Sequence, residues 1–186
     1  MRRIVITQNL TLDGVMDMAE GWFDPVAAGQ DDIVEATRTH RETADVLLVG
    51  RGTFESFRGF WPHLRDDPTG VGEYLDRVEK HVVSATLTEP GWARTTVVRG
   101  PVADHVRALR AGDGGDVVIT GSPGVAHEVL RHGLVDELRL FVFPVVVGRG
   151  ERLFPDGTGA GLDLLEARPF RGGAVLLRYG TSAPRG

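Results

Sequence analysis

The segment 116–154 limits the possible folds more than any other part of the chain, because it predicts a strand, a turn, a helix and a second strand in that order. The apolar run 117–120 predicts a buried strand, and a turn with two glycines and a proline follows it at 121–124. Apolar residues then recur at the spacing of one helical face, and the run 138–147 predicts a second buried strand. Two parallel strands joined through a helix form a βαβ unit. We therefore expect a parallel sheet that is covered by helices.

The turn at 121–124 has a composition that suits an anion. Ser122 can cap the helix that follows, and Pro123 suits the first helical turn, where no N–H group is needed. Small residues allow a ligand to approach the backbone, and the N–H groups at a helix start attract anions. A plain strand-to-helix turn is the alternative, since GSPG matches neither the full dinucleotide fingerprint nor the Walker pattern.

Composition excludes several classes of protein. The chain has 186 residues, which suits a single domain spanning 1–186. It has no cysteine, so disulfides and thiolate metal sites are excluded and a cytoplasmic location is expected. A net charge of -5 argues against a nucleic-acid partner, and no apolar run approaches the roughly 20 residues that span a bilayer. The six histidines lack the spacing of metal ligands, so we expect no metal site.

An earlier buried strand ends in residues that suit a phosphate. The apolar run 46–49 leads into Gly50, and Arg51 and Thr53 follow at the start of a predicted helix. A guanidinium can pair with a phosphate through two hydrogen bonds, and a threonine hydroxyl can donate a further one. The alternative is that Arg51 is only a surface ion-pair partner.

A third strand end has the same character. The predicted strand 80–84 ends at Ser84, and Thr86 adds a second hydroxyl. Ligands of open α/β sheets bind at the carboxyl ends of the strands. Three such ends, with Gly50 and Gly121 as the other two, favour a nucleotide site over three unrelated turns.

The end of the chain changes from alternating strands and helices to strands alone. The runs 162–165 and 174–179 predict an antiparallel pair, with a turn at 172–173. Together with the alternating part, this predicts an α/β fold with a mainly parallel sheet and an antiparallel edge.

The region between the first two strands contains the candidates for substrate contacts. A turn is predicted at 13–14, and a helix is predicted over 31–44 with Asp31 or Asp32 as its cap. Trp22 lies between them among turn residues. Its side chain either covers the edge of the core or forms an aromatic wall for a planar ligand.

Several segments, taken in order, resemble the successive blocks of the dihydrofolate reductase-like proteins. They are TLDGV at 11–15, LVGRGTFE at 48–55, VSATL at 83–87, TGS at 120–122 and GLVDEL at 133–138. The segment FPVVVGRGERLF at 143–154 is similar to the late strand and loop of one subgroup, the C-terminal reductase domain of the bifunctional riboflavin-biosynthesis deaminase-reductase. The resemblance extends over nearly the whole chain.

The resemblance implies a three-layer α/β/α dihydrofolate reductase-like fold, in which a mixed sheet of about eight strands ends in an antiparallel hairpin. It implies that NADPH binds across the strand ends, with Arg51 near the adenosine 2′-phosphate and Ser84 and Thr86 on the adenosine side. The turn that begins at Gly121 would hold the pyrophosphate. The implied cofactor-binding residues are Gly50, Arg51, Thr53, Ser84, Thr86, Gly121, Ser122, Gly124 and Val125.

The same resemblance implies an NADPH-dependent oxidoreductase that reduces a C=N, C=C or C=O bond of a small planar heterocycle. The reaction would resemble that of 5-amino-6-(5-phosphoribosylamino)uracil reductase or dihydrofolate reductase. Asp13, Asp32 or water would supply the proton, and Trp22 would contact the substrate.

Two other functions are compatible with the residues. One is an NADP(H)-binding accessory or sensor protein without turnover. The other is a structural, dimer-forming protein, since the run 140–147 is apolar on both faces and suits a subunit interface as well as a buried strand. We expect a homodimer in each case.

Overall fold

The computed structural model describes residues 1–18, 21–27 and 30–182 of the chain. The predicted single domain extends over 1–186, and residues 19–20, 28–29 and 183–186 lie outside the described ranges. The strands are β1 (Ile4–Thr11), β2 (Ala44–Gly50), β3 (Glu79–Val83), β4 (Thr95–Val98), β5 (Asp116–Ile119), β6 (Glu137–Phe143), β7 (Gly161–Pro169) and β8 (Val175–Ser182). The helices are α1 (Asp31–Glu42), α2 (Arg51–Phe60), α3 (Val71–Arg77), α4 (Val102–Ala111) and α5 (Pro123–Arg131), with a 3₁₀ turn at Trp61–His63.

The eight strands form one sheet in the order β4-β3-β2-β5-β1-β6-β8-β7. Neighbouring strands from β4 to β6 are parallel, whereas β8 is antiparallel to both β6 and β7. The prediction of a mixed, mainly parallel sheet with a C-terminal antiparallel hairpin is confirmed. Within the described ranges, no helix is long and apolar enough to cross a membrane.

Helices cover both faces of the sheet. On one face, α4 and α5 pack against the central strands through Val106 and Val129. On the other face, α2 and α3 pack through Phe54 and Leu75, and α1 packs through Ile33 farther along the sheet. The central parallel strands are therefore buried on both sides, which explains why they appear in the sequence as continuous apolar runs.

Strand β6 is shorter than its apolar run predicts. It ends at Phe143, because Pro144 has no N–H group with which to continue the ladder. The apolar residues that follow form a loop over the turn after β1, where the Leu12 amide donates to the Val145 carbonyl at 2.8 Å. The prediction of a strand as far as residue 147 is wrong.

The start of helix α1 also differs from its prediction. Gln30 occupies the N-cap position and its side chain makes no capping hydrogen bond, so the prediction of a cap by Asp31 or Asp32 is wrong. The Asp32 carboxylate instead accepts a hydrogen bond from the Arg171 amide at 2.9 Å. Asp32 thereby fastens the turn between β7 and β8 to the first turn of α1, where the helix dipole favours a negative charge.

A network of ion pairs lies at the amino-terminal ends of β1, β5 and β6. The Glu137 carboxylate accepts hydrogen bonds from Arg3 at 3.1 Å, from Arg139 at 2.9 Å and from Arg178 at 2.8 Å. The Asp116 carboxylate accepts two from Arg3, both at 2.9 Å, and one from Arg139 at 3.0 Å. Glu137 and Arg139 are 3% and 2% exposed, so water does not stabilise their charges. The opposite charges of their partners in this network must do so.

Candidate functional site

The carboxyl ends of β3, β2 and β5 lie side by side, because these strands are consecutive in the sheet. A guanidinium N–H of Arg51, at the end of β2, donates to the Thr86 hydroxyl beyond β3 at 2.7 Å. The Ser122 amide, beyond β5, donates to the Thr53 hydroxyl oxygen at 3.0 Å. The three strand ends singled out in the sequence therefore form one continuous edge, which we call the strand-end rim.

The turn after β5 is fixed by contacts with two neighbouring strands. The Gly121 amide donates to the side-chain carbonyl of Gln8 at 2.9 Å, and the Gly50 amide donates to the Ser122 hydroxyl at 2.9 Å. Gly121 has a φ of 55°, and a Cβ atom there would lie 3.0 Å from the Thr53 side chain, so only glycine suits this position. Ser122 occupies the N-cap position of α5, but its hydroxyl binds Gly50 and the predicted capping bond is not formed.

The donors that a phosphate could meet at the rim are the amides in the first turns of α2 and α5. Gly52 and Gly124 each occupy the second helical position, where an N–H group has no intrahelical partner, and both residues are exposed. The amide of Val125 already donates to the Ser122 carbonyl at 2.9 Å, and the Val125 side chain is buried in the core. The cofactor contacts predicted for Gly124 and Val125 stay predictions, and of the two amides that of Val125 already has an acceptor within the protein.

Arg51 is the cation of the rim. Its Nε donates to Glu55 at 2.8 Å on the next turn of α2, while Nη1 binds Thr86. The side chain is 47% exposed, and these contacts use two of the five N–H donors of a guanidinium. Arg51 is therefore held across the ends of β2 and β3 and can still donate to an oxyanion.

Ser84 shapes the turn that follows β3. Its hydroxyl oxygen accepts the amides of Leu87 at 3.0 Å and Thr86 at 3.3 Å, and Ser84 is 8% exposed. This turn presents the exposed Thr86 to Arg51. The contact between Ser84 and the adenosine of a cofactor stays a prediction.

A cavity of about 770 Å³ adjoins the rim on the face covered by α1, α2 and α3. Its volume lies within the range of roughly 300–1,000 Å³ that is typical of small-molecule sites. Gly52, Thr53 and the turn 121–123 line one end of it. Polar and aromatic side chains line the rest, among them Thr7, Asn9, Thr120, Phe23, Phe57, Trp61, Tyr74 and Phe141.

Tyr74 and Arg41 are two of the polar residues that line this cavity. Tyr74 is 7% exposed, and within the described part of the chain its hydroxyl has no hydrogen-bond partner. Burial raises the pKa of the Tyr74 phenol, so the hydroxyl stays protonated and can donate. Arg41 donates to the Thr69 carbonyl at 2.6 Å, and burial lowers the pKa of its guanidinium. Sequence reasoning missed both residues, although Arg41 lies eight positions after Ile33 on the inner face of α1.

Neither of the predicted proton-donating carboxylates lines the cavity. Asp13 accepts the Thr11 hydroxyl at 2.6 Å and the Gly148 amide at 2.8 Å, and these hydrogen bonds lower the pKa of Asp13 to about 2. The amide of Arg171 likewise lowers the pKa of Asp32 below its ordinary value. Both carboxylates are ionised at neutral pH and cannot donate a proton there. The geometry instead gives Asp13 the role of fastening the loop at 147–148.

Trp22 lies behind the wall of the cavity. Its indole N–H donates to the Asp17 carbonyl at 2.7 Å, and its ring centroid lies 5.8 Å from that of Phe23 and 5.6 Å from that of Phe143. Phe23 lines the cavity and Trp22 does not. The substrate contact predicted for Trp22 stays a prediction, and the structure gives Phe23 the more direct position.

Comparison with known sequences assigns nearly the whole chain to one profile. The profile of the RibD C-terminal domain matches residues 2–176. The chain is 27% identical over 181 residues to the uncharacterized protein YyaP of Bacillus subtilis, covering 96% of this chain and 94% of that protein. It is 26% identical over 156 residues to the riboflavin biosynthesis protein RibD of Corynebacterium ammoniagenes, covering 75% of this chain and 42% of that protein.

Two solved structures share the fold. A putative riboflavin biosynthesis protein from Shewanella sp. PV-4 superposes with a TM-score of 0.69 at 19% identity, covering 97% of this chain and 99% of that one. A pyrimidine reductase-like protein from Corynebacterium diphtheriae superposes with a TM-score of 0.67 at 18% identity, covering 97% of this chain and 92% of that one. At these identities the likeness extends to the fold.

Proposed function

The chain belongs to the family of RibD C-terminal domains, and from this membership we propose that it is an NADPH-dependent reductase of a small planar heterocycle. One observation carries the proposal. Two helix starts of the strand-end rim, at Gly52 and Pro123, line one end of a cavity that has the volume of a small-molecule site, and the Arg51 guanidinium lies on the same rim. Two similar proteins, a riboflavin biosynthesis protein and a pyrimidine reductase-like protein, support a pyrimidine or related ring as the substrate.

The rim has the donors that NADPH requires. Arg51 would pair with the 2′-phosphate, because its guanidinium is half-exposed and keeps N–H groups for an oxyanion. The first-turn amides at Gly52 and Gly124 would hold the pyrophosphate. The Thr53 hydroxyl oxygen accepts a hydrogen bond from the Ser122 amide. The hydroxyl hydrogen of Thr53 would therefore be free to donate to a phosphate. When bound, NADPH supplies the hydride.

The residues of the cavity would bind and orient the substrate. Thr7 and Asn9 of β1 supply polar groups along its floor, while Tyr74 donates from the opposite wall. The aromatic walls exclude water from the reacting ring, which strengthens these hydrogen bonds. Because Asp13 and Asp32 are ionised and bound elsewhere, we propose that water supplies the proton of the reduced product.

A fluorescence titration tests the proposal. Trp61 lines the cavity and Trp22 lies behind its wall, so a nicotinamide in the cavity should accept energy from both. We expect saturable transfer from tryptophan to NADPH with a dissociation constant between about 1 μM and 1 mM, the usual range for enzymes and their ligands. NADH serves as the matched ligand without the 2′-phosphate. If neither NADPH nor NADP⁺ binds below about 1 mM, the proposal is wrong.

The alternative of an NADP(H)-binding accessory or sensor protein has one observation in its favour, since the predicted proton-donating carboxylates lie away from the cavity. Such a protein would bind NADPH in the same titration but would not oxidise it. Loss of NADPH absorbance with any member of a panel of pyrimidines and pterins, compared with a protein-free control, would exclude this alternative.

We also propose that two copies of the chain associate through β7. This strand lies at the edge of the sheet and exposes Leu164 and Leu165, which are 58% and 56% accessible. Residues 140–143 of the run 140–147 belong to β6, which lies between β1 and β8 inside the sheet and therefore has no free edge to pair.

The expected result is a dimer by light scattering, which Leu165→Glu should convert into a monomer of 20.2 kDa. The introduced charge would oppose edge-to-edge pairing of the two strands. Leu12→Glu, at an equally exposed leucine on the turn after β1, is the matched control and should remain dimeric. A wild-type chain at the monomer mass would contradict the proposal.

A further inference from the structure

A second cavity, which we call the arginine cavity, lies between helix α1 and the hairpin of β7 and β8. Its volume is about 310 Å³. It is separate from the strand-end rim, because Arg3, which lines it, comes immediately before β1, at the opposite end of that strand from the rim. Its polar lining consists of Arg3, Thr39, His40, Thr43, Arg139, Glu166, Arg168 and Arg178.

The guanidinium groups of this cavity outnumber the carboxylates that they bind. Arg3, Arg139 and Arg178 form ion pairs with the three carboxylates of Asp116, Glu137 and Glu166. No carboxylate among the described residues lies within ion-pair distance of the fourth guanidinium group, that of Arg168.

Arg139 shows where a ligand would bind. It is 2% exposed, and its Nε and Nη2 donate to Glu137 and Asp116. Its Nη1 is buried without a hydrogen-bond partner among the residues that the structure describes. A buried N–H donor of a charged group that lacks an acceptor is costly. An acceptor in the cavity that Arg139 lines would remove that cost.

The guanidinium group of Arg168 packs against an aromatic ring rather than against a carboxylate. Its guanidinium carbon lies 5.3 Å from the centroid of the Phe170 ring. Stacking of this kind orients the planar group and leaves its edge free to donate. Arg178, by contrast, uses Nε and Nη1 for Glu137 and Glu166. Three arginines from β6, β7 and β8 thus converge on one small cavity.

We propose that the arginine cavity binds a small phosphate-type oxyanion, either free phosphate or the phosphate group of a small metabolite. Arg139 and Arg168 would donate to it, with Arg178 beside them. Guanidinium groups match the geometry of phosphate oxygens, and the volume exceeds that of a single carboxylate. This site does not depend on the proposed reductase function.

His40 lies between this site and the cavity of about 770 Å³ beside the rim, because it lines both. Burial, together with the positive charges of Arg139 and Arg178, lowers the pKa of His40 to about 4. The ring is therefore neutral at pH 7 and adds no charge to either cavity. Its buried Nδ1 has no hydrogen-bond partner within the described ranges of the chain.

Calorimetric titration with inorganic phosphate at constant ionic strength tests this proposal. The titration uses the Arg51→Ala variant, so that phosphate bound at the strand-end rim does not contribute. We expect one phosphate per chain. Thr39→Glu, which places a carboxylate at the exposed mouth of the cavity, should weaken phosphate binding by at least about tenfold through like-charge repulsion. Thr88→Glu adds the same charge at a distant exposed threonine and should leave binding unchanged.

A second pair of variants tests the same site independently, in case Thr39→Glu impairs folding. Arg168→Ala should also weaken phosphate binding, whereas Arg171→Ala, at an exposed arginine of the same hairpin, should not. Glycerol phosphate that binds as tightly as inorganic phosphate would assign the site to a metabolite, and much weaker binding would assign it to the free ion. No saturable binding below about 10 mM phosphate, or unchanged binding in both Thr39→Glu and Arg168→Ala, would overturn the proposal.

Discussion

Replacement of Glu137 by Gln is expected to lower the free energy of unfolding by about 3–5 kcal/mol, the usual cost of removing one partner from a buried ion pair. The Glu137 carboxylate accepts hydrogen bonds from Arg3, Arg139 and Arg178. A neutral amide would leave the positive charge of the buried Arg139 without its nearest compensation. Urea denaturation followed by circular dichroism measures the change.

Glu166→Gln is the matched control. Its carboxylate binds Arg178 at 2.9 Å and its side chain is 34% exposed. Partly exposed pairs contribute about 0–1 kcal/mol, so this variant should lose no more than that. Equal losses in both variants would contradict the importance assigned to Glu137.

The effect of Glu137→Gln should also depend on pH. Burial alone would raise the pKa of Glu137, but hydrogen bonds from Arg139 and Arg178 outweigh it and lower the pKa from 4.5 to about 2. A carboxylate with a lowered pKa stabilises the fold above its unfolded-state value, and this contribution is lost as the pH falls toward the folded-state value. The difference between wild type and variant should therefore be constant above pH 4.5 and shrink between pH 4.5 and about 2. A difference that stays constant down to pH 3 would contradict this account.

Replacement of Arg51 by Ala is expected to weaken NADPH binding by about 10- to 100-fold, which corresponds to the loss of a charge-assisted hydrogen bond. NADH, which lacks the 2′-phosphate, should bind both proteins equally. The reason is the position of Arg51, whose guanidinium lies across the ends of β2 and β3 with donors left for an oxyanion. Fluorescence titration of the two nucleotides measures both affinities.

Arg107→Ala provides the comparison for this experiment. Arg107 is a helical arginine of similar exposure that binds Asp104 on its own helix, and it lies on α4 away from the rim. Its removal should change neither affinity. If Arg51→Ala weakens NADPH and NADH to the same extent, Arg51 does not bind the 2′-phosphate.

The fold and the strand-end rim could be predicted because both give patterns of residues that are close together in the sequence. Parallel strands buried on two faces give continuous apolar runs, and the glycines, hydroxyls and guanidinium that follow them are adjacent in the chain. The rule that ligands bind at the carboxyl ends of strands then joins positions such as Gly50 and Gly121 that are far apart in sequence. The antiparallel hairpin was equally visible, since its glycine turn lies between two apolar runs.

The contacts within the site could not be predicted, because they depend on tertiary neighbours. Ser122 stands where a capping residue is expected, directly before α5, yet its hydroxyl accepts a hydrogen bond from the amide of Gly50 at the end of β2. Asp13 has the chemistry of a proton donor, yet the loop that supplies the Gly148 amide keeps it ionised. Tyr74 belongs to a short helix, and the cavity that it lines is formed by residues that are far apart in the sequence.

The two hydrogen bonds that join Ser122 to Gly50 and to Thr53 have a consequence for ligand capture. Helices α2 and α5 begin on different strands, but these bonds set the distance between their first turns. A dinucleotide would meet donors whose separation is already fixed, so less conformational freedom would be lost when it binds. A displacement of one helix start would also displace the other as long as these hydrogen bonds hold, so the two phosphate-binding positions would move together.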